Sequence, residues 1–196
     1  MVVESIRAGS ACRERGFTLV ELAITLVVLA VLVTLAAPSF THITQRNRLA
    51  AAANEVSAIL QAARMDAISR GQAVTVCPSP DGSTCGISEG WSRLIVFVDP
   101  DRTAAVVDKD DFLRELWIDG AGLSVDASSN VAAGPWIRFS ADGLVRMSGN
   151  ARQGAITVCS SRLPPESDNA RDIHVGVSRV SVSSRNATPD CTAPNN

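Results

Sequence analysis

From Phe17 to Phe40 the chain reads FTLVELAITLVVLAVLVTLAAPSF, 24 residues that hold one charge, Glu21. A helical bilayer span takes about 20 mostly apolar residues, and the apolar region of a secretory signal about 7 to 15. The run therefore predicts a transmembrane helix over 17–40. Beyond Pro38 the pattern becomes periodic. Ile43, Leu49, Ala53, Val56, Leu60, Ala63 and Ala67 recur at spacings of three, four, six or seven, which is one face of an amphipathic helix over 41–70. Arg46, Arg48, Glu55, Gln61, Arg64 and Asp66 fall elsewhere on it. Arg70-Gly71 places a cation in the last turn and a glycine at the C′ position, a helix stop. A single helix from Phe17 to Arg70 would be about 80 Å long.

After Gly71 the texture changes to short alternating or β-branched runs over 72–196. These predict strands at Ala73–Cys77, Leu94–Asp99, Phe112–Ile118, Leu123–Asp126, Trp136–Ser140, Leu144–Ser148, Ala155–Ser160, Asp172–Val177 and Val180–Ser183. Turn residues separate them: Pro80-Asp81-Gly82, Asp99-Pro100-Asp101, Asp119-Gly120, Ala141-Asp142-Gly143 and Ser148-Gly149-Asn150. No second long helix, no linker and no internal repeat is visible. The expected class is α+β, a long N-terminal helix packed on antiparallel sheet.

Composition sharpens this picture at two points. With 46% hydrophobic residues but only 4% aromatic and no Tyr, the apolar content of the 196-residue chain is aliphatic and concentrated in 17–40. Charge nearly cancels, 18 Lys and Arg against 20 Asp and Glu, which excludes a polycationic nucleic-acid binder and an acidic solvating tail. Residues 1–16 carry three Arg against two Glu, so positive-inside bias puts that end in the cytoplasm and the rest outside. No small-residue signal-peptidase site followed by a polar start is present beyond the weak Ala36-Ala37-Pro38. Glu21 is then the anomaly: a carboxylate one turn into an apolar helix costs a few kcal/mol and calls for a partner.

The word Arg15-Gly16-Phe17-Thr18-Leu19-Val20-Glu21, followed by an apolar helix, resembles the class III signal of type IV pilins and pseudopilins. The resemblance implies a 1–16 leader removed by prepilin peptidase after Gly16. It implies N-methylation of Phe17 and pairing of Glu21 with the N-terminal amine of a neighbouring subunit. Pro38 matches a helix-breaking proline common in that family, where the lost hydrogen bond can kink or melt the helix. The rest resembles the GspH/FimT group of minor pilins and pseudopilins. The matching words are Arg48-Leu49-Ala50-Ala51-Ala52-Ala53-Asn54-Glu55, Ala63 to Gln72, Val74-Thr75-Val76-Cys77, Trp91 with Leu94 to Asp99, and Ile137-Arg138-Phe139-Ser140-Ala141-Asp142-Gly143. A glycine frequent after the first Trp is replaced here by Ser92-Arg93. The group's fold is pilin-like, with a globular periplasmic domain, here 41–196. What it implies is a structural subunit that primes or caps a pilus, with no enzymatic activity and no cofactor. Its partners would be prepilin peptidase, other minor and major pilins, and the bacterial inner membrane. A type II secretion pseudopilin and a DNA-binding minor pilin for natural transformation are the competing readings.

Candidate chemistry elsewhere is sparse. Cys12 would leave with the leader, and the remaining Cys77, Cys85, Cys159 and Cys191 form an even set for an oxidising compartment. Of three possible pairings, Cys77–Cys85 would close a short turn and Cys159–Cys191 would tie back the C-terminal tail. Zinc spacing is absent, with His42 and His174 distant in sequence, and His174 reads as a satisfied sheet residue. Asp99, Asp101, Asp108, Asp110 and Asp111 lack Ca²⁺-loop spacing and read as a solvated hairpin connection. No phosphate loop or nucleophile elbow occurs. Asn186-Ala187-Thr188 fits a glycan acceptor but is discounted for a bacterial compartment. Charge is unevenly spread: residues 81–133 hold ten acids and four bases, 134–196 five acids and seven Arg. Arg171, Arg179 and Arg185 are the candidate DNA-phosphate contacts. The Gly-Arg-x-Arg word of DNA-uptake members is reduced here to Ser178-Arg179-Val180-Ser181.

Overall fold

A computed structural model describes residues 16–88, 90–104, 110–120, 122–187 and 191–194, excluding the side chains of 35–39. The leader 1–15, Asp108 and Thr188 lie outside the described residues. The chain divides into two compact units, residues 1–41 and 42–196. Helix α1, Leu19–Arg70, contributes to both.

The first unit is the start of α1. Thr18 caps it: its Oγ1 accepts the N–H of Glu21 at 3.2 Å and its carbonyl accepts the N–H of Leu22 at 3.1 Å. Thr-x-x-Glu is the sequence form of a capping box, which is why helix begins at Leu19 rather than Phe17. Assigned helix continues through Pro38 without a break. Every described apolar side chain of this stretch is exposed, Phe17 at 78% and Leu19 at 84%.

Among the described residues of the second unit nine strands form two antiparallel sheets. They are β1 Val74–Pro78, β2 Arg93–Val98, β3 Phe112–Trp117, β4 Leu123–Ala127, β5 Ile137–Phe139, β6 Val145–Arg146, β7 Gly154–Ser160, β8 Ala170–Val175 and β9 Val180–Arg185. The order is β3-β2-β1-β5-β6 in one sheet and β4-β7-β8-β9 in the other. All nine lie where alternation predicts strands. β8 is offset, starting at Ala170 and ending at Val175, because Gly176 to Arg179 form the turn into β9. One short helix, α2 Ser129–Ala132, is additional.

The periodic face of α1 is the centre of the core. Leu49, Val56, Leu60, Ala63 and Ala67 are fully buried in one cluster with Val74, Val76, Leu94, Val96, Ile137 and Phe139 of the first sheet and Ile156, Val158 and Ile173 of the second. The helix ends as its glycine predicts. Gly71 adopts φ 65°, its N–H reaches the carbonyl of Ile68, and the N–H of Gln72 reaches that of Ala67, a Schellman arrangement. The turn at Gly143, φ 75°, stands so close to α1 that a Cβ there would lie 2.8 Å from Ile68 Cδ1.

The outer faces are not simply solvated. Period-two pairing places Thr75 and Arg138 opposite one another on the outer face of the first sheet. There Asp99 Oδ2 accepts Thr75 Oγ1 at 2.6 Å, Arg138 Nη2 at 2.7 Å and Arg138 Nε at 3.0 Å. The guanidinium lies 4.4 Å over the Trp136 ring. Asp99 is 2% exposed, so its place in a solvated acidic connection is corrected: it directly follows β2 as a buried, paired carboxylate. On the outer face of the second sheet Thr157 lies opposite Asp172 and donates to Oδ1 at 2.7 Å, while Arg185 Nε donates to Oδ2 at 2.7 Å. Val74-Thr75-Val76-Cys77 and Ile156-Thr157-Val158-Cys159 are similar tetrapeptides, each with a Thr on a buried Asp that also pairs with an Arg and, two residues on and on the same face, a half-cystine.

Removing one member of a buried pair strands the other charge at about 3 to 5 kcal/mol, whereas an exposed pair is worth under about 1 kcal/mol. Denaturant unfolding of the full chain in detergent should therefore show Asp99→Ala destabilised several-fold more than Glu115→Ala, which loses only the surface pair with Arg93. Equal losses would contradict the assignment.

Candidate assembly and tether sites

The residues expected to direct processing and assembly occupy one short stretch. Gly16 and Phe17 precede the capped turn, outside the helix and exposed. Glu21 sits at the third helical position with its backbone N–H held by Thr18, so its carboxylate projects from the first turn, where the helix dipole favours negative charge. Among the described residues Glu21 forms no ion pair within the chain, and its same-face neighbours Phe17, Thr18, Ile24 and Thr25 carry no charge. A carboxylate without a local cation on an otherwise apolar helix is suited to a cation supplied from another molecule. Among the described residues no helix is long and apolar enough to cross a membrane. The side chains of 35–39 lie outside the described residues. Pro38 falls among these, and its backbone is assigned helix.

The cysteines form two tethers, one per sheet. Cys77 is bonded to Cys85, S–S 2.02 Å, and Cys159 to Cys191, S–S 1.94 Å. The first fastens the β1–β2 connection against Ile95, Phe97 and Trp136 on the outer face. Inside it Asp81 Oδ1 accepts the N–H groups of Ser83 and Thr84, both at 2.8 Å, and these bonds hold its carboxyl well below the usual carboxylate range. A depressed carboxyl pKa adds stability above the unfolded value that is lost only as pH falls through the folded one. The second tether straps the C-terminal tail over the outer face of the other sheet. Arg185 Nη2 donates to the Thr192 carbonyl at 2.8 Å and Ala193 N–H to Asp126 Oδ2 at 3.2 Å. Alternation alone could not reveal the buried Asp–Arg pairs. The available signal was the repeated Thr-Val-Cys, whose Thr interrupts two otherwise apolar, fully buried strands.

The three candidate DNA-contacting arginines are not brought together. Arg185 is committed to Asp172 and Thr192. Arg171 Nη1 donates to the carbonyls of Asp168 and Ala170, and its partner across the ladder is Ser184, so it points to the face opposite Arg185. Arg179 lies in the turn before β9, about 20 Å from Arg185 by strand rise and at the opposite end of the ladder from Arg171. His174 Nε2 meets Ser183 Oγ at 3.0 Å across the β8–β9 ladder. Among the described residues no group of three or more His, Cys, Asp and Glu could hold a metal ion.

A capped apolar helix bearing one carboxylate, continued as an amphipathic helix over two antiparallel sheets, is the architecture of a pilin-like subunit. The comparisons agree. Residues 12–37 match the prokaryotic N-terminal methylation motif, and residues 52–181 match the family described as type II transport protein GspH. The chain belongs to the GspH family of minor pilins and pseudopilins. A crystal structure of the Pseudomonas aeruginosa type IV minor pilin FimU is similar in fold, 21% identical, TM-score 0.50, covering 72% of this chain and 92% of that one. The minor pseudopilin EpsH of the Vibrio cholerae type 2 secretion system is 14% identical, TM-score 0.48, covering 70% and 97%.

By loop-closure entropy the 32-residue separation of Cys159 and Cys191 is worth about 3 to 4 kcal/mol and the 8-residue separation of Cys77 and Cys85 about 2 to 3. Paired Cys→Ser variants should lower the unfolding midpoint in that order. Limited proteolysis should clip the tail only in the Cys159→Ser/Cys191→Ser form; a tail equally protected in both would contradict the strap.

Proposed function

We propose that the chain is a minor type IV pilin, cut by prepilin peptidase after Gly16, methylated at Phe17, held in the inner membrane by 17–40 and then built into a pilus as a priming or tip subunit. It acts as a structural subunit, without catalytic chemistry. Glu21 carries this reading: a lone carboxylate at the third position of a capped, otherwise apolar helix, inside the matched methylation motif. The new amine of a neighbour's Phe17 would supply the missing cation, and in a low-dielectric surround that pairing offsets the cost of burying the carboxylate. Moving from bilayer to fibre core exchanges one apolar environment for another, so the aliphatic helix surface adds little barrier. The globular unit, stapled by two disulfides, presents the lateral contacts to other pilins outside the inner membrane. The second reading, a type II secretion pseudopilin, is favoured by the described function of the matched family. It uses the same processing and the same Glu21, and the neighbouring genes distinguish the two.

Glu21→Ala should leave cleavage after Gly16 intact yet remove the chain from sheared surface fibres by about tenfold or more, the scale of losing a charge-assisted contact. Undiminished incorporation would contradict the role of Glu21.

A further inference from the structure

Among the described residues the two sheets have four edge strands, and three of them are guarded. β6 is two residues long, β3 holds Arg114 and Glu115, paired with Asp66 and Arg93, and β4 holds Asp126, bonded to the strapped tail. β9 is the exception. Between Arg179 and Arg185 it reads Val180-Ser181-Val182-Ser183-Ser184, with no charge, proline, glycine or break in register, and residues 181–184 are all exposed. Natural edge strands are kept from pairing by shortness, charge, proline, bulges or cover, because a bare edge is a template for another strand.

The backbone of β9 shows which of its groups are available. Gly176 N–H donates to the Arg179 carbonyl at 2.9 Å, and this bond sets the parity of the β8–β9 ladder: Ser181, Ser183 and Arg185 turn their N–H and C=O groups toward β8. Val180, Val182 and Ser184 turn theirs outward, and among the described residues no backbone group meets them. Val182 stands opposite Ile173, which is fully buried in the core, yet Val182 is itself 41% exposed. The apolar face of the second sheet therefore runs out to its edge uncovered.

We propose that β9 receives an extended segment of a different subunit of the fibre as a further strand of its sheet, bonded to the outward N–H and C=O groups of Val180, Val182 and Ser184. This rests on the assembly reading above. The ends of the strand choose the occupant. A second copy of β9 paired antiparallel about Val182 would set Arg179 against Arg185 at both ends, and like charges directly opposite are destabilising. Arg185 is already held by Asp172, whereas Arg179 is exposed and forms no ion pair among the described residues. The fitting segment is uncharged along 180–184, apolar where it meets Val182 and acidic where it meets Arg179. In strand addition the backbone bonds supply affinity and the alternate side chains supply selectivity. One edge takes one strand, so the contact ends after a single partner, as a priming or tip subunit requires.

The test compares amide hydrogen exchange, residue by residue, in the tagged full chain in detergent and in sheared fibres from its host. Val180, Val182 and Ser184 should exchange about tenfold or more slowly in the fibre, while Ser181 and Ser183, already bonded to β8, change little. Val182→Pro removes one outward N–H and none that bonds β8, so the chain should keep its abundance and both disulfides while its incorporation into fibres falls about tenfold. Val182→Lys, which keeps the N–H but sets a charge on the apolar face, should act in the same direction. Unslowed exchange at 180, 182 and 184, slowing without the alternation, or undiminished incorporation of both variants overturns the strand addition. Disulfide trapping between two differently tagged copies, one Val180→Cys and the other Ser184→Cys, would assign the edge to a second copy and overturn the assignment to a different subunit. Absence of the wild-type chain from fibres overturns the assembly reading and this contact with it, whereas presence there without slowed exchange overturns this contact alone.

Discussion

A helix that is apolar on every described side for its first turns and amphipathic thereafter has two incompatible solvation demands. The amphipathic half is satisfied within the chain: two sheets bring their inner faces onto Leu49, Val56, Leu60 and Ala63, and one continuous core results. The described side chains of the apolar half are exposed, a surface that lipid or other subunits would cover. Most of the functional reading follows from that asymmetry. Glu21 is meaningful because its surroundings are apolar, and a cation from outside is the one counter-charge such an environment would reward.

The globular unit meets the problem of two-layer sheet packing in a repeated way. Each sheet turns one face to α1, which leaves a second face whose alternate residues would otherwise be solvated. On both, a Thr in a Thr-Val-Cys word orients a buried Asp against an Arg, and the following half-cystine fastens a covering segment. Each buried carboxylate is thus bonded by a hydroxyl and a guanidinium, the condition under which a buried pair is tolerable. The covering segments, the β1–β2 connection and the C-terminal tail, are irregular chain that loop entropy would otherwise release, and the disulfides counter that entropy.

Local periodicity made most of the fold legible. The helix stop at Arg70-Gly71 and nine strands could be read from alternation and turn residues, and the short loop between Cys77 and Cys85 suggested its own closure. What alternation cannot report is which strand lies beside which. The division into two sheets, the identity of the Asp that partners Arg138, and the removal of Arg185 from the exposed cations all depend on contacts between residues far apart in sequence. Asp99 shows the difference most clearly: by sequence it opens a run of acids between strands, yet it is drawn into the sheet because Arg138 and Thr75 stand across the ladder from one another. The proposed processing and assembly residues Gly16, Phe17 and Glu21 could be read as a motif for the opposite reason, since they lie in one short stretch, inside the matched methylation motif.

The central claim is that the apolar helix begins, in the working protein, at a newly made amine beside Glu21. Intact-mass and N-terminal analysis of the chain recovered from its host membrane tests it most directly. The account predicts a chain beginning at Phe17, one methyl group heavier than the sequence from that residue, with both disulfides formed. A chain still beginning at Met1, or one cut beyond the apolar run near Ala37, would contradict it.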